Sequence, residues 1–580
     1  MSIKPEDFFK NVISHCKEYG YIFQSSEIYD GLSAVYDYGQ NGAELKKNIR
    51  DYWWKAMVQL HDNIVGIDAS IFMHPTTWKA SGHVDAFNDP LIDNKDSKKR
   101  YRADVLIEEH VAKIEDKIEK EVEKAKKRFE NFDEAMFRST NARILEYQTK
   151  INDINNRFKT ALNDGNLTEV KQLIVDLEIV CPVSGSRNWT DVRQFNLMFS
   201  TKYGAASDAP PIDKNQRVLY NLFKSGKKQI SQNELLSDGF DPNKGSNNSG
   251  RYYLAPTNDV KAALEHNPTF LIHEDEADII YLRPETAQGI FVNYLNVQKT
   301  GRMKLPFGIA QTGKAFRNEI VARQFIFRMR EFEQMEMQFF VKPGTEMEWY
   351  EYWKKARLNW HLSLGLGKEN YKFHDHLKLA HYANAATDIE FQFPFGFKEL
   401  EGIHSRTDFD LKQHEQFSGK KLQYFDVEKN ESYVPYVVET SVGLDRLFLA
   451  ILSSALKEET LQGGETRTVL SLPPALAPIK AAVFPLVKKD GLPELAEKII
   501  NDLKFDFNVT YDEKDTVGKR YRRQDAIGTP YCITVDHQSL EDNTVTIRHR
   551  DTMQQDRIKI SEVYDFLQKR VSLKSLLQSL

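Results

Sequence analysis

The sequence predicts an α+β chain of several domains, and three stretches carry that expectation. From Phe327 the residues alternate between two faces, as a strand requires. Arg328, Arg330, Phe332, Gln334, Glu336 and Gln338 fall on one face; Phe327, Met329, Glu331, Glu333, Met335, Met337 and Phe339 fall on the other. Across residues 104–180, Ile107, Val111, Ile114, Ile118, Val122, Ala125 and Phe129 step by three and four, with Glu and Lys between them, which predicts a helical hairpin. Beyond residue 475, the stretches 481–487, 492–503, 507–513, 517–527 and 531–536 alternate strand with helix, the pattern of a small α/β domain.

Composition sets the outer bounds. A chain of 580 residues has room for about three or four domains. Its 41% hydrophobic and 12% aromatic content supports large cores. The net charge of −5 excludes a global basic field, so any nucleic-acid surface must be local. Cys16, Cys181 and Cys532 are too few and too scattered for a disulfide framework, which fits a reducing, cytoplasmic setting. The N-terminal MSIKPEDFFKNVISH has no apolar core of the signal-peptide kind. No run reaches ~18 uncharged apolar residues, so no membrane partner is expected; the best candidate, 442–456, contains Asp445 and Arg446 and reads as a buried helix.

In chain order, residues 5–19 have helical spacing closed by Gly20, and 21–29 read as a strand. Residues 43–60 form a helix with Leu45, Ile49, Trp53, Met57 and Leu60 on one side. The stretch 72–93 is dense in His, Trp, Gly and Asp, a composition that suits the wall of a site. Residues 201–280, with a Gly-, Asn- and Ser-rich loop near 242–250, read as a surface excursion. His374, His376 and His381 match no zinc spacing. SLPPALAPIK, 471–480, reads as a linker.

Arg328, Phe332 and Glu336 place arginine, ring and acid four residues apart along one face, and Arg317 and Glu319 precede them in FRNE. Guanidinium forks suit phosphate oxygens, a ring face suits a base, and an acid suits a cation. Alone this is a salt-bridged strand face. With the wording REFEQME it resembles motif 2 of the class II aminoacyl-tRNA synthetases, in their glycyl branch. The helix 43–60 then resembles motif 1, the dimer element, and VPYVVETSVGLDRLFLAIL, 434–452, resembles motif 3, with Thr440 where proline is usual. RPETAQG, thirty residues before FRNE, and YRADVLIEEH, 101–110, are also similar to that family.

The resemblance implies a catalytic domain built on an antiparallel sheet flanked by helices, with a helical insertion and a C-terminal anticodon-binding domain. It divides the chain into 1–103, 104–180, 181–470 and 475–580. It implies ATP contacts at Arg317, Asn318, Glu319, Phe327, Arg328, Phe332, Glu399, Leu400, Gly443 and Arg446, with Arg317 and Arg446 carrying the catalysis. Glycine contacts are implied at Arg102, Glu285, Phe332, Glu336, Glu439 and Ser441. Glu399 is a candidate ligand of Mg²⁺ accompanying ATP. Lys519, Arg520, Arg522 and Arg523, with Tyr521 among them, are implied to contact tRNA(Gly), and Arg548, His549 and Arg550 form a second basic group. The implied assembly is a homodimer.

Where zinc-containing relatives carry two Cys-x-x-Cys knuckles, this chain has Asn94, Ser97, Cys181 and Ser184. One thiol cannot close a tetrahedral site, so no structural zinc is expected. A rival reading is a non-catalytic paralogue that kept the fold for nucleic-acid binding. It predicts loss of the motif arginines and pocket acids, all of which are present.

Overall fold

The computed structural model describes residues 4–129, 132–203, 278–320, 324–376, 379, 382–461 and 464–580. They fall into two units: Met1–Ile71, Thr76–Met198 and Arg283–Leu580 make the first, Phe72–Pro75 and Phe199–Leu282 the second. Most of the excursion at 201–280, including its loop near 242–250, lies outside the described residues, as does His381. The described part of the second unit is an antiparallel pair, Ser200–Tyr203 with Asp278–Tyr281.

The first unit is organised on seven strands: β1 Ile64–Gly66, β2 Phe307–Phe316, β3 Glu331–Val341, β4 Tyr371–Asp375, β5 Ala385–Phe393, β6 Gly396–Thr407 and β7 Tyr436–Gly443. Their order is β4-β5-β6-β7-β3-β2-β1, antiparallel except where β1 joins β2. Four helices pack with the sheet: α1 Pro5–Glu18, α2 Gln40–Trp54, α3 Glu346–Leu362 and α4 Leu444–Ala455. Met335, Met337 and Phe339 of β3 join Leu45, Ile49 and Trp53 of α2, Trp353 and Trp360 of α3, and Leu447, Phe448 and Ile451 of α4 in one core. The alternate β3 residues Glu336 and Gln338 are equally buried, because they face a polar chamber rather than water.

Several local expectations need correction. The strand foreseen from Phe327 begins at Glu331; Phe325–Phe327 is a 3₁₀ turn entered through Gln324 and Phe325, both with positive φ. Residues 21–29 contribute only Ile22–Gln24 to a strand, followed by a 3₁₀ turn at Glu27–Tyr29. The helix foreseen over 43–60 runs from Gln40 to Trp54 and finishes in a single π-helical turn, Lys55–Gln59. Gly42 is required there: a Cβ would stand 1.9 Å from the Tyr21 carbonyl oxygen, so the helix can approach the preceding strand.

The insertion holds helices Ala103–Arg128, Glu134–Thr140, Ala142–Asn163 and Leu167–Asp176. The apolar stripe of the first meets Ile144, Ile154 and Ala161 of the third and Leu173 and Ile174 of the last. Phe129, expected on that stripe, lies past the helix end and is exposed. The C-terminal module is a mixed five-stranded sheet, Ala481–Pro485 lying parallel between Val509–Tyr511 and the central Tyr531–Val535, with Thr544–His549 and Gln555–Lys559 antiparallel beyond. Its helix α5, Val517–Ile527, carries the first basic group. The 471–480 linker is packed: Leu472, Ala475, Leu476 and Ala477 are all buried.

Candidate active site

The lower ends of β3 and β7, with the turn before β3, enclose a cavity of about 340 Å³. Its lining includes Phe87, Asp89, Arg102, Arg317, Glu319, Phe327, Arg328, Phe332, Glu399, Ser441, Gly443 and Arg446. Four guanidiniums thus converge on one small space. Each is held in place. Arg317 donates from Nε to the Pro284 carbonyl at 3.1 Å, with its guanidinium 5.4 and 5.2 Å from the Phe87 and Phe332 rings. Arg446 lies 4.5 Å over the Phe327 ring and 3.1 Å from a Glu399 carboxylate oxygen. Arg102 is paired with Asp89 at 3.2 Å and with Asp104. Arg328 stands 4.0 Å from Glu319, whose buried Oε2 has no hydrogen-bond partner among the described residues.

The charges are tuned by these neighbours. Burial pushes the Asp89 carboxyl up to about 6 despite Arg102. Arg446 beside Glu399 holds that carboxyl below its ordinary range. Glu399 is half-exposed, with 52% of its side chain open, so a hard oxygen donor faces the cavity next to the arginine that a phosphate would attract. That donor suits Mg²⁺. Asn318 and Leu400 are placed differently from the rest. Asn318 is anchored by its N–H to the Leu197 carbonyl at 2.7 Å, and the Leu400 side chain is buried in the main core, so neither side chain lines the cavity.

Further along the same strands lies a closed network of buried polar groups. Gln338 donates from Nε2 to Glu336 at 3.0 Å and to Glu439 at 2.6 Å. Thr286 donates its hydroxyl to Glu336. His404 Nδ1 lies 2.9 Å from Glu439 Oε1, and Arg406 donates to Glu439 Oε2 at 3.0 Å and in a fork to Asp410 at 2.9 and 3.0 Å. Gln288 links Asp410, at 3.0 Å, to Glu285, at 3.2 Å; His83 stands 3.5 Å from the other Glu285 oxygen. Strand register explains the convergence: Ser441 opposes Glu336 and Glu439 opposes both Gln338 and His404.

Three carboxylates in one desolvated chamber cannot all ionise freely. Burial would raise Glu285 and Glu439, but His83 and Arg406 hold the first low, and Arg406 and His404 the second. Among the described residues, Glu336 has no cation of its own. Burial and the charges of Glu439 and Glu285 drive its carboxyl well above the ordinary range. His404 is raised in turn, the Glu439 hydrogen bond overcoming its burial.

All the predicted glycine-side residues belong to these two adjoining spaces, Arg102, Phe332 and Ser441 to the cavity and Glu285, Glu336 and Glu439 to the network. Sequence reading missed His404, Arg406, Asp410, Gln338, Thr286 and His83. A signal existed for three of them: Gln338 shares the strand face of Glu336, and His404 and Arg406 alternate on one face of theirs.

The basic groups of the C-terminal module differ from expectation. Arg520 is 3% exposed and donates to the Pro485 carbonyl at 2.6 Å and to the Asp515 carbonyl. Arg523 is engaged by Asp512 and Asp515, and Arg522 by Glu465 at 3.2 Å. Arg548 and Arg550 are buried, the first on Asp525, the second on the Gly528 and Leu472 carbonyls. The Tyr521 ring lies under Arg548 with its hydroxyl 2.7 Å from Thr534, so it packs inward instead of offering a stacking face. Lys519 is exposed.

The four knuckle positions meet. Asn94 Oδ1 accepts from the Ser97 N–H at 3.0 Å and the Ser184 hydroxyl at 3.1 Å; Cys181 Sγ lies 3.3 Å from Ser97 Oγ and 3.1 Å from the Tyr101 hydroxyl. One thiol, one amide and two hydroxyls do not fit zinc, which takes thiolate and imidazole. Among the described residues, no group of three or more His, Cys, Asp or Glu side chains is placed to hold a metal ion, and no helix is long and apolar enough to cross a membrane.

Comparison with known proteins gives the family. Residues 89–197 match a glycyl-tRNA synthetase insertion domain, 270–455 a class II tRNA synthetase core domain (G, H, P, S and T), and 480–570 an anticodon-binding domain. A glycine–tRNA ligase of Chlorobaculum tepidum is 47% identical over 96% of this chain and 98% of its own. Those of Macrococcus caseolyticus and Geobacillus thermodenitrificans are 46% and 44% identical over 98% and 97% of this chain and 99% and 97% of theirs. Among solved structures, the chain is similar to one described as the RNA-binding domain of threonyl-tRNA synthetase from Cryptosporidium parvum Iowa II. The TM-score is 0.52 at 14% identity, covering 96% of this chain and 97% of that one, a likeness of fold alone. With motifs in order and relatives at this identity over nearly its whole length, the chain belongs to the glycine–tRNA ligase family.

Proposed function

We propose that the chain joins glycine to tRNA(Gly) at the expense of ATP, with the arginine-lined cavity holding the nucleotide and the acid network holding the glycine ammonium. The observation that carries the reading is the adjacency of these two spaces on β3 and β7, one cationic and one anionic. A class II core uses ATP. The glycine carboxylate attacks the α-phosphorus; the new O–P bond replaces the bond to pyrophosphate, and glycyl-adenylate results. The nucleophile is already an anion, so no general base is needed. Catalysis rests on positioning and on charge stabilisation. Arg317 would grip the α-phosphate, Arg446 the distal phosphate, and Arg328 and Glu319 would complete the rim. Phe332 would stack on adenine between Arg317 and the strand. Mg²⁺ bound with ATP supplies charge neutralisation at the pyrophosphate, and Glu399 is the residue that would hold it. Glu285, Glu336 and Glu439 would surround the ammonium, with Arg102 and Ser441 at the carboxylate end. The terminal ribose hydroxyl of tRNA then displaces AMP from the glycyl carbonyl.

The domain division 1–103, 104–180, 181–470 and 475–580, a metal-free ribbon and a cytoplasmic homodimer belong to the same proposal. Exposed Ile28, Tyr29 and Leu32, in and just after the 3₁₀ turn Glu27–Tyr29, support a second copy on that face. Amino-acid-dependent ATP–pyrophosphate exchange tests the central reading. Exchange should depend on glycine, because a pocket excluding a methyl group by closed packing discriminates beyond the ~1–3 kcal/mol available to a pocket preferring one more methylene. Comparable exchange with alanine or serine would refute it.

A further inference from the structure

Behind the cavity lies an ion cluster that the chemistry above does not use. Lys46 of α2 is 6% exposed, with Nζ 2.7 Å from Asp445 Oδ1 and 3.3 Å from Glu333 Oε2. Asp445 accepts the Glu333 N–H on its other oxygen at 2.7 Å and takes the Tyr38 hydroxyl as well. Arg50, one turn along α2, pairs with Glu333 at 2.6 Å. Two cations and two carboxylates therefore balance.

A buried ion pair of this kind often serves the fold alone, and its desolvation cost can cancel its attraction. Two observations point further. Glu333 and Asp445 themselves line the cavity, so their charge faces whatever occupies it. Each also follows or precedes a residue of the nucleotide site: Phe332 stands before Glu333, and Arg446 after Asp445. Asp445 thus tacks the first turn of α4 to the start of β3, and Lys46 fixes Asp445.

We propose that Lys46 is a positioning residue for ATP. It sets the spacing between Phe332 and Arg446 through Asp445, and together with Arg50 it neutralises two carboxylates that would otherwise repel a triphosphate. The proposal rests on the reading of Phe332 and Arg446 as nucleotide contacts.

The test compares Lys46→Met, Lys46→Arg, Tyr38→Phe and Arg446→Ala in the full chain, each checked by circular dichroism and thermal melting. Lys46→Met should raise the KM for ATP in pyrophosphate exchange about tenfold while leaving the KM for glycine within about threefold. Lys46→Arg, which keeps the charge, should restore most of the loss, and Tyr38→Phe should move the ATP KM the same way by a smaller factor. If Lys46→Met does not fold, the ATP-specific shift in Tyr38→Phe decides. A lower melting temperature with both KM values unchanged, or changed equally, would overturn the proposal. Should Arg446→Ala raise the ATP KM while Lys46→Met and Tyr38→Phe do not, the nucleotide reading stands and the positioning role falls. An unchanged ATP KM in Arg446→Ala removes the nucleotide reading and the proposal with it.

Discussion

Glu336 is the residue whose state the geometry makes most consequential. It faces Glu285 and Glu439, accepts from Gln338 and Thr286, and has His404 and Arg406 committed to Glu439 and His83 to Glu285. Burial and the charges of Glu439 and Glu285 raise its carboxyl well above the ordinary range, which favours the protonated form when no cation is near. An entering ammonium supplies that cation, so the proton should leave as glycine binds. Because the folded carboxyl titrates high, glycine affinity should rise as pH rises through its range, until the glycine amine itself loses its proton. Calorimetry in buffers of different ionisation heat reads this directly. Up to one proton released per glycine is expected, and none would mean that Glu336 is already ionised. At this scale the motif arginines and pocket acids were legible, because local wording places them. His404, Arg406 and Asp410 were not. Their partners lie far off in sequence, and only strand register brings His404 opposite Glu439. Arg520 misled for the reverse reason: a helical basic run looks the same whether its arginines face solvent or, like this one, inner carbonyls.

Among elements, the three-stranded ribbon of Asn88–Asn94, Lys99–Arg102 and Arg193–Asn196 is tied to residues 181–188 by hydrogen bonds centred on Asn94. The Asn94 amide is wholly buried and bonds to Ser97, Ser184, Ser186 and the Asn188 carbonyl. Cys181 completes the knot, its hydroxyl neighbours lowering the thiol to about 6 against the effect of burial. Purified without chelator, the protein should carry close to zero zinc and melt at the same temperature with or without EDTA, and Asn94→Ala should cost about 1–3 kcal/mol by leaving buried partners unmet. About one zinc per chain by elemental analysis would contradict this. The first helix of the insertion and the helices Leu492–Leu503 and Val517–Ile527 of the C-terminal module were readable from periodicity, whereas the foreseen hairpin gave no positions for the three further insertion helices. The late start of β3 was not, since Phe327 and Met329 keep the alternating pattern while the backbone runs through a turn dictated by packing on Phe393 and Phe395.

For the molecule as a whole, the C-terminal module is fastened to the end of α1 and to the strand Thr466–Leu470. Tyr21 donates to the Ile527 carbonyl, His15 Nε2 lies 2.9 Å from the Ala526 carbonyl, and Arg467 bridges to Asp525 at 2.9 Å. Excising the module would strip these bonds, so point changes are the cleaner probe of tRNA contact. Lys519→Glu with Arg522→Glu, at the exposed side of α5, should raise the KM for tRNA about tenfold or more through lost phosphate attraction while leaving glycine-dependent exchange intact. Equal charging by this variant and the wild type would place the RNA elsewhere.

The same fastening sets a clock on biosynthesis. His15 waits for Ala526, 511 residues later, and Lys46 waits 399 residues for Asp445. At ~5–20 residues per second a ribosome needs on the order of 25–100 s to span the longer interval. Through that time the apolar side of α1, with Phe8, Phe9 and Val12, has no finished core to enter, and the nascent chain must keep that surface from meeting the same surface on its neighbours in a polysome.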